Sequence, residues 1–352
     1  MGLPEINISF QSLAVSAVQR SQRGIVALIL KDDTDITFDT KEYRTITDID
    51  PDDWTAENKD YIEKTFLGVP SKIIVERIAV AAVDYSAALT RLASKRWNYL
   101  AIPGIETADV ATIATWLKAA RDNDKKTYKA VLPNNTADHE GIINFTTAGI
   151  VVGEDTYTAN EYCARIAGIL AGLSLERSAT YYVLTEVESI TESEDPDTDI
   201  DAGKLILIND GEKIKIGRGV NSLTTTSVTK GADWKKIKII EGHDFVQEDI
   251  TRTFDNDYVG KVNNSYDNQV LFLASVNAYL AGLEGTVLNP NVENSVGVDT
   301  EAQRLAWEAI GTDTTDWDDQ RVKENAFQSK VFVSGSLRFL DAMEDLDFKI
   351  SV

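Results

Sequence analysis

Between residues 84 and 185 the chain alternates apolar runs of strand length with stretches of helical period, and that rhythm leaves few architectures open. The segment "YSAALTRLASKR" predicts a helix and "WNYLAIPG" a strand after it. A second helix, "TADVATIATWLKAARD", leads to the strand "TYKAVLPN". A third strand, "GIVVG", precedes the helix "TANEYCARIAGILAGLS", and "TYYVLTEVESI" follows. Strands joined by helices imply right-handed crossovers and a mostly parallel sheet. In the last helix Ala164, Ala167, Gly168, Ala171 and Gly172 leave room for another backbone to approach one side closely.

The flanks have a different grain. Upstream, "GIVALILKDD" reads as a buried central strand. Short pieces such as "DITFDTKEYRTI" come next, then a helix "TAENKDYIEKTFLG" and a strand "KIIVERIAV". In that helix Thr55 is placed as N-cap, Asn58 stands where a capping-box Glu would, and Gly68 is placed to end it. Downstream, residues 188–201 hold seven acids and no base, the pattern of a solvated loop. "KLILINDGEKIKIGRG" predicts a β-hairpin turning at Asp210-Gly211. The last third predicts a strand "KKIKIIEG", helices around 244–256, 266–282 and 300–310, and a closing β section, "SKVFVSGSLRFLDAMEDLDFKISV".

At 352 residues the chain exceeds one ordinary core. The expected division is an N-terminal strand arm over 1–22, a small β-rich domain over 23–83, a central α/β domain over 84–232, a C-terminal α+β domain over 233–345 and a C-terminal strand arm over 346–352. The fold class is thus a multidomain mixture of α/β and α+β.

Apolar runs such as "GIVALIL" and "LILIN" are strand-sized, far short of a bilayer span. Residues 1–23 lack the charged start and unbroken apolar stretch of a signal peptide, so synthesis in the cytoplasm is expected. The lone Cys163 excludes an intrachain disulfide. A net charge of −22 disfavours nucleic acid and anionic membranes as partners, since both present phosphates. It also opposes casual self-association, so any assembly must be specific; a basic partner surface would favour it.

No residue qualifies as catalytic, cofactor-binding or metal-ligating. His139 lies in the polar loop "NNTADHEG", and His243 stands beside Asp244, which reads as an N-cap; neither has a partner at metal-ligand spacing. Cys163 shares a helix face with Ile166, Leu170 and Leu173 and reads as a core thiol. In "GLSLE", Glu176 replaces the second glycine of a nucleophile elbow, and Ser174 sits at a helix end. "GRGVNS" at 217–222 has two glycines of a phosphate loop but follows a hairpin rather than opening a helix.

Both ends carry a strand pattern. Ile6, Ile8 and Phe10 alternate with polar residues near the start; Leu346, Phe348, Ile350 and Val352 do so to the last residue. Burying four such side chains yields about 6–12 kcal/mol at about 1.5–3 each. Ordering seven residues costs about 7–14 kcal/mol of backbone entropy. An arm alone is near break-even, and ladder hydrogen bonds of about 0.5–1.5 kcal/mol each decide the balance only where a sheet edge waits. That edge belongs either to the same chain or to a neighbour.

"GLPEINISFQSLAVSAVQRSQRGIVALILKD", "ARIAGILAGLSLERSATYYVLTEVESI", "INDGEKIKIGRGVNSLTT" and "LRFLDAMEDLDFKISV" together resemble, in the same order along the whole chain, the tail sheath protein of contractile phages. The nearest variety is the short sheath of phages, phage-like particles and tail-like bacteriocins of low-GC Gram-positive bacteria. The resemblance implies a β-rich N-terminal domain, a central domain of subtilisin-like topology and a C-terminal domain. No Asp, His and Ser here match that protease's motifs, so its chemistry is not implied.

It further implies a structural, non-enzymatic subunit without cofactors. Such subunits form hexameric rings stacked helically around an inner tail tube, joined to a baseplate and a tail terminator. They contract to drive the tube through a bacterial envelope. Particles of this kind are assembled in the bacterial cytoplasm and released on lysis. By position, the inter-subunit strand arms are Ile6, Ile8, Phe10, Leu346, Phe348, Ile350 and Val352. Lys235, Lys236 and Lys238, or Arg321 and Lys323, are candidates to face the tube. Two other functions fit the residues: an α/β nucleotide-binding enzyme built on 84–185, and a monomeric surface binding module.

Overall fold

The computed structural model describes residues 24–350, so the expected arm residues Ile6, Ile8, Phe10 and Val352 lie outside the described residues. Two compact units account for the rest. One contains residues 24–244 and 341–350, the other residues 245–340.

The larger unit is organised by β1 (Ile25–Lys31), an interior strand of a seven-stranded sheet. β1 is buried on both faces, as its unbroken apolar run requires. Its parallel neighbours are β3 (Lys72–Ile78) and β4 (Tyr99–Ala101). Beyond β3 the antiparallel β2 (Thr40–Tyr43) closes one edge. Past β4 come β5 (Lys129–Pro133), β6 (Ile142–Phe145) and the two-residue β10 (Lys204–Leu205), all parallel.

Helices cover both faces. Val26, Leu28 and Leu30 point into a core with α1 (Ala56–Phe66) and α4 (Ala159–Gly172). Ile25, Ala27 and Ile29 point the other way, against α2 (Ser86–Ala93) and α3 (Thr107–Asp122). Thr55 caps α1 as expected, accepting from the Asn58 N–H at 3.3 Å. The amide of Asn58 does something else: it donates to the Lys31 carbonyl at 2.9 Å and to Asp32 Oδ2 at 2.7 Å, tying the helix start to the end of β1.

The small-residue face of α4 meets the end of α1. A Cβ on Gly168 would overlap the Thr65 carbonyl oxygen, and one on Gly172 that of Gly68. Two helices here touch through their backbones, which only glycine permits.

Several expectations need correction. Across residue 83 the sheet is continuous, since β1, β2 and β3 share it with β4, β5 and β6. "GIVVG" is not the third parallel strand: β6 takes that place, returning from β5 through residues 134–141 without a helix. β7 (Ala148–Val152) instead joins β8 (Asp155–Tyr157) and β9 (Ser189–Thr191) in an antiparallel sheet. Most of "TYYVLTEVESI" is irregular, with one bridge, Val183 to Lys215. Within the acid run, Asp195 caps a short helix α5 (Pro196–Asp201), accepting from the Thr198 N–H at 3.1 Å.

The hairpin forms from β11 (Leu207–Asn209) and β12 (Ile214–Ile216) around Asp210-Gly211, while Lys204 and Leu205 leave it for the large sheet. "KKIKIIEG" is not a strand but the start of α6 (Ile237–Asp257). Ile237 and Ile240 are one helical turn apart and both buried, a spacing that short apolar runs share with strands.

In the second unit, α6 continues from Phe245. It is followed by α7 (Tyr266–Ala281), β13 (Ser295–Val298), α8 (Thr300–Ala309), α9 (Asp319–Glu324) and β14 (Val333–Ser336). Phe254, Tyr258 and Phe272 form an aromatic trio with centroids 4.9–6.0 Å apart. Trp307 sits edge-on to Phe327 and Trp317. The closing β section is mostly not strand: β14 is its one strand among the described residues, paired antiparallel with β13.

Candidate assembly site

The buried charged groups around Asp244 and Asp32 are engaged in holding the fold. Lys129, 1% exposed, bonds Asp244 at 2.7 Å and Glu241 at 3.1 Å, while Arg121 grips Asp244 with two bonds of 2.8 and 3.0 Å. The Tyr99 hydroxyl donates to Glu241 at 2.5 Å. Burial pushes the Asp244 carboxyl up, but Lys129 and Arg121 outweigh it and its pKa lies below the ordinary value. Asp244 is therefore no N-cap: it lies inside α6 and pins that helix to α3 and β5. At the end of β1, buried Asp32 accepts from the Thr34 and Thr55 N–H groups at 2.7 and 2.9 Å, besides Asn58.

Asp122, His139 and Glu140 bring three possible metal ligands together. The hydrogen bonds do not suit a cation. His139 Nδ1 accepts from the Gly141 N–H at 3.0 Å, so the neutral ring carries its proton on Nε2, 3.4 Å from Asp122. Lys230 takes both Glu140 oxygens, at 2.8 and 2.9 Å. Burial holds the His139 pKa below its ordinary value against the pull of Glu140 and Asp122. Cys163 is fully buried and its thiol is pushed far up by burial. Asn221 and Ser222 of "GRGVNS" are spent on the Trp234 carbonyl and on the His139 carbonyl.

The C-terminal segment differs from all of these. Leu340 still belongs to the second unit, its N–H on the Val287 carbonyl at 2.8 Å. Residues 341–345 lie on the larger unit through acidic side chains. Asp341 pairs with Lys236, and Glu344 Oε1 accepts from the Ser178 and Thr180 hydroxyls at 2.7 Å each. Asp345 pairs with Arg218. Beyond them Leu346, Phe348 and Ile350 are 87, 74 and 71% exposed. Among the described residues, 346–350 make no hydrogen bond to the rest of the chain.

A second feature left open among the described residues is the β13–β14 pair. The Asn277 side chain takes both polar groups of Val296, accepting its N–H at 2.9 Å and donating to its carbonyl at 3.0 Å. An amide thus occupies the outer edge of β13 as a strand would. Val296 faces Gly335 and Val298 faces Val333, so by antiparallel alternation Gly335 and Val333 turn their N–H and C=O groups away from β13. All of β14 is exposed. No sequence signal singled out Asn277, because a polar residue on a helix reads as a solvated face.

The tube-facing candidates separate. Lys236 is engaged with Asp341, and Lys238 is buried, its pKa lowered by burial against Asp341 and Glu344. Lys235 lies half-buried in a 3-10 turn beside them. Arg321 and Lys323 are on α9 in the other unit, Arg321 over the Trp317 ring at 5.4 Å.

Among the described residues, 346–350 carry exposed apolar side chains and form no strand. Residues 79–222 match the family model of the phage tail sheath protein central domain, and residues 229–352 that of the phage tail sheath C-terminal domain. A tail sheath protein of Clostridium phage phiCD119 is 36% identical, covering 100% of this chain and 99% of that one. The chain belongs to the phage tail sheath family and is a structural subunit of a contractile tail.

Solved folds agree. A sheath tail protein of Listeria innocua superposes with a TM-score of 0.67 at 16% identity, covering 94% of this chain and 98% of that one. The helical sheath of the anti-feeding prophage in its contracted state superposes with a TM-score of 0.71 at 14% identity, covering 100% and 99%. Among the described residues, no helix is long and apolar enough to cross a membrane.

Proposed function

We propose that this subunit polymerises as hexameric rings stacked helically around an inner tail tube, and that the polymer contracts to drive the tube through a bacterial envelope. It is a mechanical part and not an enzyme, made in the bacterial cytoplasm and released in a tail or tail-like particle on lysis. Its partners are other copies of itself, the tube, the baseplate and the tail terminator.

The exposed alternation of Leu346, Phe348 and Ile350 carries this reading, because a strand with one apolar face gains stability only on a sheet. The open edge of β14 supports it from the other side. An isolated two-stranded sheet is marginal in water, and Val333 and Gly335 offer the donors and acceptors of one more strand. Ile6, Ile8 and Phe10 are assigned the same role at the other terminus, and Val352 continues the C-terminal alternation. Arg321 and Lys323 remain the better tube-facing candidates, since Lys236 and Lys238 serve the base of the C-terminal arm. Negative-stain electron microscopy of the purified protein, alone and with the inner tube, tests this. Rings or tubes in either sample are expected, and monomers in both would overturn it.

A further inference from the structure

We propose that residues 341–345 are a polar clip that fixes the base of the C-terminal arm to the larger unit, so that only residues 346–352 exchange between subunits. The second half of that statement rests on the strand-arm reading above; the first half does not.

Three acids meet three bases and two hydroxyls. Asp341 pairs with Lys236 and Asp345 with Arg218, while Glu344 Oε1 holds Ser178 and Thr180. The other Glu344 oxygen is buried without a hydrogen bond, yet lies 3.9 Å from both Arg218 and Lys236. Lys238 faces the same acids. The Glu344 side chain is 6% exposed although the residues on both sides of it are exposed, so the chain turns inward at this one side chain. The platform comes from three places in the sequence: the loop after α4, the end of β12 and the turn before α6.

An exposed ion pair is weak alone, but these are coupled around one buried carboxylate. The clip also sets reach. A free arm of seven residues extends about 23 Å, and one of twelve, released from Asp341, about 40 Å. Short reach confines the arm to a near neighbour. Tension on an exchanged strand passes into the larger unit at Glu344 rather than back through residues 245–340.

Spin labels placed one at a time at Met343→Cys, inside the clip, and Lys349→Cys, outside it, test this in the dilute monomer. Buried Cys163 does not take label. The expected result is a slow label at 343 and a fast one at 349, with 343 becoming as fast as 349 in the Asp341→Asn/Glu344→Gln/Asp345→Asn background. Equal mobility at the two sites in the unaltered background, or no change at 343 on neutralisation, overturns the clip. Circular dichroism confirms that the body stays folded. A chain ending at Asp345 that still assembles overturns the arm reading instead and leaves the clip standing.

Discussion

Gly168 of α4 rests directly on the carbonyl oxygen of Thr65 in α1, with no side chain between the two backbones. The contact sets how closely two helices pack on one face of the central sheet. Neither side can give way, because the obstructing atom is backbone. Gly168→Ala is expected to destabilise the larger unit by about 1–3 kcal/mol or more, read from denaturant unfolding. An unchanged midpoint would mean that the helices separate freely.

The charge cluster on Asp244 predicts a different pattern. Asp244→Asn leaves Lys129 and Arg121 buried with half their compensation, and a loss of about 3–5 kcal/mol is expected. Replacing Asp244, Arg121 and Lys129 together by Leu, Met and Met should lose much less, because neither buried cation is then stranded and Glu241 keeps the Tyr99 hydroxyl. Thermal unfolding of both variants checks the contrast; equal losses would count against it.

Much of the central fold was legible because its strands and helices carry their own periods and caps. Thr55, the 107–122 helix and the Ala/Gly face of α4 follow from residue type and spacing. What was not legible depends on distant partners. "KKIKIIEG" is helical because Ile237 and Ile240 bury on one side and Asp244 finds Arg121 and Lys129, partners more than a hundred residues away. "IINF", which forms β6, is four residues long and passed unnoticed beside the more apolar "GIVVG". At the assembly site the alternation of Leu346 to Ile350 could be read, but Asn277 and the Ser178–Glu344 contact could not.

Acid should weaken the protein in two stages. Burial lowers the pKa of His139 and His243 below the ordinary 6.5, so the unfolded chain binds more protons than the folded one as pH falls through that value. Their contribution is intact above about pH 6.5 and declines below it, by at most about 1.4 kcal/mol per pH unit for each histidine. The lowered Asp244, Glu140 and Glu186 carboxyls add a second loss below the ordinary carboxylate range. His243→Phe should flatten the slope between pH 6.5 and 5, measured by urea midpoints. A slope unchanged there and in His139→Asn would contradict the assignment.

On β14, Val333→Pro removes an N–H that points away from β13 and has no partner among the described residues. Proline is tolerated at such an edge, so monomer stability should shift by less than about 1 kcal/mol. Assembly should fall sharply, because an added strand loses a ladder bond. Tubes at wild-type yield would place the arm's acceptor elsewhere.

The most direct test compares the full chain with one ending at Asp345, side by side under negative-stain electron microscopy with the inner tube present. The account predicts rings or tubes from the full chain and only monomers from the shortened one. Identical tubes from both would contradict the claim that residues 346–352 join subunits.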